Sequence, residues 1–240
     1  MAMNIAAIPV KNKIEWTAPL VEHLLLHDDL DQIWIYDNGS TDITREWVEN
    51  RKNIDQRITI FDVPDMKIYD MWNDMILIAA EEYKTSNLAI LNNDIRLPPY
   101  AIRDMSLMMR KEDYQIAAVD PTRTGLYTFS IGWWDLSRAL PHPIQPYCER
   151  LHIGDRIGWA FVVAAEFWKN EKYAIHPDYI HYFGDDDLYR RAMHRGGNAC
   201  IVRGIGCDHA ESTTGGIDGD LWKHDEDIYM RLWDGTSSAI

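Results

Sequence analysis

The run Tyr182-Phe183-Gly184-Asp185-Asp186-Asp187-Leu188 sets three adjacent carboxylates just ahead of a helical pattern, and His209 follows one strand later. Adjacent carboxylates repel, which favours the protonated form of at least one of them. Asp185 or Asp186 is therefore a candidate general base for a hydroxyl proton. The plainer reading is that acidic residues favour the first turn of a helix, where they meet the positive end of its dipole. Arg190 and Arg191 lie about one turn on and could compensate the charge.

Two further clusters carry chemistry. Leu91-Asn92-Asn93-Asp94-Ile95 ends an apolar run with one carboxylate and two amides, the oxygen-rich surroundings that Mg²⁺ or Mn²⁺ bridging a diphosphate would need. The same composition also makes an ordinary turn. One carboxylate holds a cation weakly, so a second ligand is required, and His209 in its polar loop is the candidate, although a lone histidine is often structural or merely exposed. Asp37-Asn38-Gly39-Ser40-Thr41-Asp42 follows a strand pattern and opens a helix, gathering backbone N–H groups and short polar side chains where a nucleotide could sit. Asp37 could accept a hydrogen bond from a base N–H. A tight turn followed by a Ser or Thr cap accounts for the same residues.

The elements around these clusters alternate. Apolar runs at Ile5–Ile8, Ile33–Tyr36, Ile58–Phe61, Leu88–Leu91 and Ile116–Val119 are separated by helical patterns over 18–27, 41–50, 69–83 and 100–110. This order predicts βαβ units and a mostly parallel sheet in an α/β fold, with ligands bound beyond the carboxyl ends of the strands. Residues 124–158 are rich in aromatics, Gly and Pro, including Trp133, Trp134 and Pro141-His142-Pro143. Such a loop could shape a pocket or simply pack. Strands at Trp159–Val163 and Ala199–Val202, a helix over 186–195 and a final amphipathic helix over 221–233 complete the expectation. One domain over residues 1–240 is expected, with a nucleotide-binding half at 1–120 and an acceptor half at 121–240 that ends in the final helix.

A net charge of -14, from 24 basic and 38 acidic residues, disfavours a polyanion groove. Cys148, Cys200 and Cys207 include no CxxC pair, which argues against a disulfide framework or zinc knuckle and fits a reducing, cytoplasmic setting. No apolar run reaches the ~18 residues that span a bilayer, and the first residues lack a basic segment, so a soluble protein is expected.

In order, Ile8-Pro9-Val10-Lys11-Asn12, Asp37 to Asp42, Asn73, Leu91 to Asp94, Gly158, Asp185 to Leu188 and His209 with Ser212-Thr213 resemble a family-2 glycosyltransferase of the GT-A fold. The resemblance implies an inverting hexosyl-type transfer from a nucleotide-diphosphate sugar, UDP-linked first, to an acceptor hydroxyl on a glycan, protein, small molecule or modified nucleic acid. It implies a nucleoside pocket lined by Pro9 and Asn12, with Asp37, Asn38 and Ser40 at the base and Asn73 near the nucleotide. It also implies Mn²⁺ or Mg²⁺ at the DXD-equivalent Asn92-Asn93-Asp94, held by Asp94 and His209, with Asn93 among the contacts to the nucleotide-sugar and Asp185 as base. Two positions depart from the family. Gly184 stands where it has Glu, so a slip of one residue makes Asp186 the base, and Asn92 replaces the first acid of the DXD motif. The nucleotidyltransferase alternative lacks its Gly-rich triphosphate loop, since Ile8 to Lys13 contains no glycine. A non-catalytic nucleotide- or sugar-binding module is the other alternative.

Overall fold

A computed structural model describes residues 2–83, 86–98, 100–121, 146–151, 157–209 and 218–233. Trp133, Trp134, Pro141-His142-Pro143, Ser212 and Thr213 lie outside the described residues.

The strands β1 (Met3–Val10), β2 (Gln32–Asp37), β3 (Ile58–Asp62) and β4 (Ser86–Leu91) alternate with helices α1 (Ile14–Leu25), α2 (Thr44–Ile54) and α3 (Ile68–Glu82). After the two-residue β5 (Ile95–Arg96) come α4 (Ala101–Lys111), β6 (Ile116–Val119), β7 (Tyr147–Arg150) and β8 (Ala160–Ala164). A 3-10 turn at Ala165–Trp168 leads on to α5 (Gly184–His194), β9 (Ala199–Arg203), β10 (Asp208–His209) and α6 (Gly219–Trp233). The eight-stranded sheet has the order β3-β2-β1-β4-β8-β6-β9-β7, and β10 with β5 forms a separate ribbon. The expected α/β architecture is present. β4, β6 and β8 are buried at every residue, and β6 and β8 are apolar throughout, as strands covered on both faces require.

Direction within the sheet decides what shares its rim. β3, β2, β1 and β4 run parallel, so Val10, Asp37, Asp62 and Leu91 end at one edge. β8 runs antiparallel to β4 with Ala160 opposite Leu91, so the residues entering β8 start where β4 stops. β6 and β9 are parallel to each other and antiparallel to β8, and they return the chain to the same rim. The short β5, β7 and β10 escape a periodicity reading because two to four residues are too few to show one.

Pro9 lies in a central strand yet costs no ladder bond on its β4 side. The last β1–β4 pair is Ala7 with Ile90, and at Pro9 the strand pairs with Tyr36 of β2 alone. At the opposite edge of the sheet, His23 in the last turn of α1 and His27 just beyond its end have their Nε2 atoms 3.1 Å from each other. Arg57 donates to the carbonyls of Leu25 (2.7 Å) and His27 (2.7 Å), closing the end of that helix. Burial, together with the neighbouring His27, lowers the His23 imidazole to about 3.

This burial gives a pH dependence with a definite sign. The unfolded chain takes up a proton at His23 as pH falls below 6.5, and the folded chain resists until about 3. Stability is therefore complete above the unfolded value and is lost as pH falls through that window. Between pH 7 and pH 5 the loss from this group should be about 2 kcal/mol. Urea midpoints at the two pH values should converge in His23→Gln relative to the unsubstituted protein.

Candidate active site

The first corner of the rim is built by the loop after β1 locking onto the loop after β2. The Asn38 N–H donates to the Val10 carbonyl (2.8 Å), and the Asn12 N–H donates to Ser40 Oγ (2.8 Å). Asn12 has a positive φ of 60°, and its Oδ1 accepts from the Thr41 N–H (2.7 Å) and the Asp42 N–H (3.2 Å). Asn12 and Ser40 thus give the corner its shape. Asp37, only 2% exposed, accepts from the Ser40 N–H at 3.0 Å. Its other oxygen is 3.4 Å from an Arg45 guanidinium nitrogen, which also pairs with Asp62 at 2.7 Å. Asn38 Nδ2 donates to the Met66 carbonyl at 2.7 Å, while its Oδ1 is buried with no hydrogen-bonding partner. A buried acceptor with no donor is costly unless something supplies one. Pro9 lies beneath this corner, inside β1.

The second corner follows β4. The Asn92 N–H donates to the Trp159 carbonyl (2.9 Å), which ties the end of β4 to the start of β8. Asn93 Nδ2 donates to Thr17 Oγ1 of α1 at 3.0 Å, so this amide anchors the turn. Asp94 is 8% exposed, and its Oδ1 is 3.3 Å from His209 Nε2. Backbone pairing of His209 with Ile95 places the imidazole there, an arrangement made by the β5–β10 ribbon. Trp159 lies flat against the His209 ring, with centroids 5.4 Å apart and planes 12° apart, and its indole N–H donates to Cys207 Sγ (3.1 Å).

The three acids at the start of α5 separate into different roles. Asp187 is fully buried and accepts from the His176 N–H (2.8 Å), Arg191 Nε (2.6 Å) and Trp233 Nε1 (2.8 Å). It is a structural carboxylate, and Arg191 compensates it as the spacing suggested. Asp185 and Asp186 instead line a cleft of about 170 Å³ with Tyr69, His181, Tyr182, Phe183 and Trp222. Asp185 is half-buried, whereas Asp186 is 8% exposed.

Two glycines explain why Asp185 can lie where it does. A Cβ at Gly158 would be 2.8 Å from Asp185 Oδ2, so the carboxylate rests against bare backbone beside Trp159. A Cβ at Gly184 would come within 2.4 Å of the Tyr69 ring, which fills the space a larger residue would take. The glycine at position 184 is thus coupled to Tyr69. The Tyr69 hydroxyl donates to the His181 carbonyl at 2.8 Å. Burial, and then the Asp185 carboxylate, push this phenol well above its ordinary value, so it stays protonated.

Asn73, on α3, is occupied by the backbone leading to this loop. Its Oδ1 accepts from the N–H groups of Ala174 (2.7 Å) and Ile175 (2.8 Å), and its Nδ2 donates to the Ile175 carbonyl (2.8 Å). It holds the framework of the site rather than presenting a free amide. Sequence reasoning missed Asp225, on α6. This fully buried carboxylate accepts from the N–H groups of Ile180 (3.0 Å), His181 (2.8 Å) and Tyr182 (2.7 Å), so it shapes the loop immediately before the acids. The signal was a carboxylate on the apolar stripe of Leu221, Trp222, Ile228, Tyr229 and Leu232.

Of the sequence-chosen residues, Asp185, Gly158, His209 and Asp94 fall into one contiguous arc, whereas Asn12, Asp37, Asn38 and Ser40 form a separate corner after β1 and β2. Asp185 abuts Gly158, Gly158 precedes Trp159, Trp159 stacks on His209, and His209 faces Asp94. Among the described residues, no three His, Cys, Asp or Glu side chains are grouped to hold a metal ion. The Asp94–His209 pair offers one carboxylate oxygen and one imidazole nitrogen, a partial set that a phosphate ligand would have to complete. No helix among the described residues is long and apolar enough to cross a membrane.

Solved structures share this architecture. S. aureus TarS 1-349 superposes with a TM-score of 0.63 at 10% identity, covering 97% of this chain and 66% of its own. GalNAc-T7, solved with UDP, GalNAc and Mn²⁺, gives 0.67 at 13% identity, covering 98% of this chain and 48% of its own. Glucosyl-3-phosphoglycerate synthase from Mycobacterium tuberculosis, solved with Mn²⁺, UDP and glucosyl-3-phosphoglycerate, gives 0.58 at 15%, covering 97% and 79%. The chain thus spans about two thirds of TarS 1-349 and about half of GalNAc-T7. These likenesses establish the GT-A fold. No curated protein matches the sequence. The family model for glycosyl transferase family 2 matches residues 6–170 of the 240, a span that holds both rim corners and Gly158 and stops short of Asp185 and His209. With that match over most of its length, on a GT-A sheet whose rim gathers Asp37, Asp94 and Gly158, the chain belongs to glycosyl transferase family 2.

Proposed function

We propose that this protein is a metal-dependent inverting glycosyltransferase that moves a sugar from a nucleotide-diphosphate sugar, UDP-linked first, to an acceptor hydroxyl. The observation that carries this reading is the unbroken arc from Asp94 and His209 through Trp159 and Gly158 to Asp185. Residues 1–120 supply the sugar-donor half and residues 121–240 the acceptor half. Asp37 and the buried Asn38 Oδ1 offer acceptors for the N–H groups of a nucleobase, on the corner that Pro9, Asn12 and Ser40 shape. Asn93 and Asn73 act as anchors behind it.

In transfer by single displacement, the acceptor oxygen bonds to the anomeric carbon as the nucleoside diphosphate departs, and configuration inverts. Asp185 takes the hydroxyl proton, because it lines the cleft and rests against Gly158 at the rim. Asp186, more buried in the same cleft, is the second choice. Asp94 and His209 would hold Mn²⁺ or Mg²⁺, which when bound neutralises charge on the leaving diphosphate. Two protein ligands suit a hard cation whose remaining positions are filled by phosphate oxygens and water. Tyr69 contributes no proton, since burial keeps it neutral, and it buttresses the loop before Asp185.

The aromatic walls of the cleft favour a ring-bearing acceptor such as a glycan. Trp222 meets Tyr182 at 5.0 Å and Phe183 at 4.8 Å between ring centroids, forming an apolar bank in the cleft that two carboxylates also line. Such a bank can take the apolar face of a sugar while the acids take its hydroxyls.

Three outcomes test this reading. Asp185→Asn should lower kcat by about 10²–10⁴ and leave sugar-donor affinity unchanged, because the geometry persists while the proton acceptor is lost. Full turnover in that variant would reassign the base. Nucleoside diphosphates with Mn²⁺ should raise the thermal midpoint, and Asp94→Asn or His209→Ala should raise the Mn²⁺ needed for half the effect by about tenfold or more. A metal-independent response would remove the pair from the site. Trp222→Ala should raise acceptor KM by about tenfold with sugar-donor KM unchanged in initial-rate kinetics.

A further inference from the structure

Cys148 on β7 and Cys200 on β9 lie outside the arc and are unused by the transfer chemistry. The β7–β9 ladder sets Cys148 opposite Val202 and Arg150 opposite Cys200, so the two cysteines are diagonal neighbours on one face of the pair. Their sulfurs are 3.2 Å apart, with the Cys200 thiol donating to Cys148. A disulfide needs about 2.05 Å, so closure requires an approach of about 1 Å. Among the described residues β7 is the outermost strand, paired with β9 alone, and can move by that amount more easily than a central strand. Cys148 is half-buried and within reach of a small oxidant, whereas Cys200 and Cys207 are buried.

We propose that Cys148 and Cys200 form an oxidisable dithiol site that hydrogen peroxide converts to an intramolecular disulfide pinning β7 to β9. The Cys148 thiolate attacks the peroxide oxygen, the O–O bond breaks, and the departing hydroxide takes a proton to become water. The Cys200 sulfur then attacks the resulting sulfenic sulfur and expels a second water as its own proton leaves. Two thiols are oxidised and one peroxide is reduced. The hydrogen bond from Cys200 lowers the Cys148 thiol below the ordinary value, which makes Cys148 the sulfur that reacts first.

The bond would act where β7 is already tied to the rim. Glu149 accepts from Arg203 Nε at 2.6 Å, and Arg203 donates to Asp120 at 2.8 Å. Asp120 also accepts from the Gly204 N–H at 3.2 Å, in the turn that carries the chain from β9 toward His209. A covalent clamp on β7 therefore reinforces a turn that leads into the site, and it does so whatever the protein transfers.

The test is titration of the reduced 240-residue protein with hydrogen peroxide, followed by intact mass, thiol counting and peptide mapping. The expected result is loss of two thiols with two hydrogens of mass and no added oxygen. A Cys148–Cys200 cross-linked peptide, free Cys207 and full recovery with dithiothreitol should accompany it. The thermal midpoint of the monomer should rise by about 5–10 °C. In Cys200→Ser, Cys148 should instead be trapped as sulfenic acid by dimedone, and Cys148→Ser should leave Cys200 unreacted. Stepwise oxidation of Cys148 to sulfinic acid in the unsubstituted protein, cross-links between molecules, or three persistent thiols would each overturn the proposal.

Discussion

The antiparallel ladder between β4 and β8 is the constraint on which the rest of the site depends. Pairing Leu91 with Ala160 means that the residues leaving β4 and those entering β8 occupy the same edge of the sheet. Asn92 to Asp94 and Gly158-Trp159 become neighbours for that reason alone. A parallel pairing would put the entry to β8 at the far edge. Trp159 then serves as a platform for His209, and Gly158 leaves room for Asp185, so two consecutive residues join the Asp94–His209 pair to a candidate base.

Carboxylates hold this arrangement in two ways. Asp187 and Asp225 are fully buried and saturated with hydrogen bonds from backbone, arginine and indole N–H groups. Burying a charge is tolerable only when donors surround it, and these two are surrounded. They fix the 176–182 loop and the start of α5, and that rigidity leaves Asp185 and Asp186 directed at the cleft. Four acids close together in sequence or space thus divide into a framework pair and a cleft-lining pair. Asn73 and Asn93 follow the same logic with amides, Asn73 holding the backbone at Ala174 and Ile175 and Asn93 tying its turn to Thr17 of α1.

The pattern of apolar runs was enough to foresee the parallel half of the sheet, because β1, β2, β3 and β4 are each long enough to show their burial. The register of β8 against β4 was not legible, since Ala160 to Ala164 is apolar at every residue and carries no mark of direction. β5 and β10 were invisible for a different reason. A two-residue ribbon is a consequence of where the chain passes, and it is this ribbon that brings His209 to Asp94.

Residue chemistry in the sequence determined the candidates: Asp37, Asp94, His209 and the Asp185–Asp187 run are the polar groups that interrupt apolar elements, and their order marked the family. Tertiary structure decided their roles. It separated Asp187 from Asp185 by burial, enlisted Asp225 from a helix that reads as amphipathic, and turned Asn12, Ser40 and Asn73 inward to hold backbone. It also coupled Gly184 to the Tyr69 ring, which accounts for a departure that sequence could register and not explain. The physical reason is that a side chain's type is local, whereas its solvation and its partners depend on which distant segments pack against it.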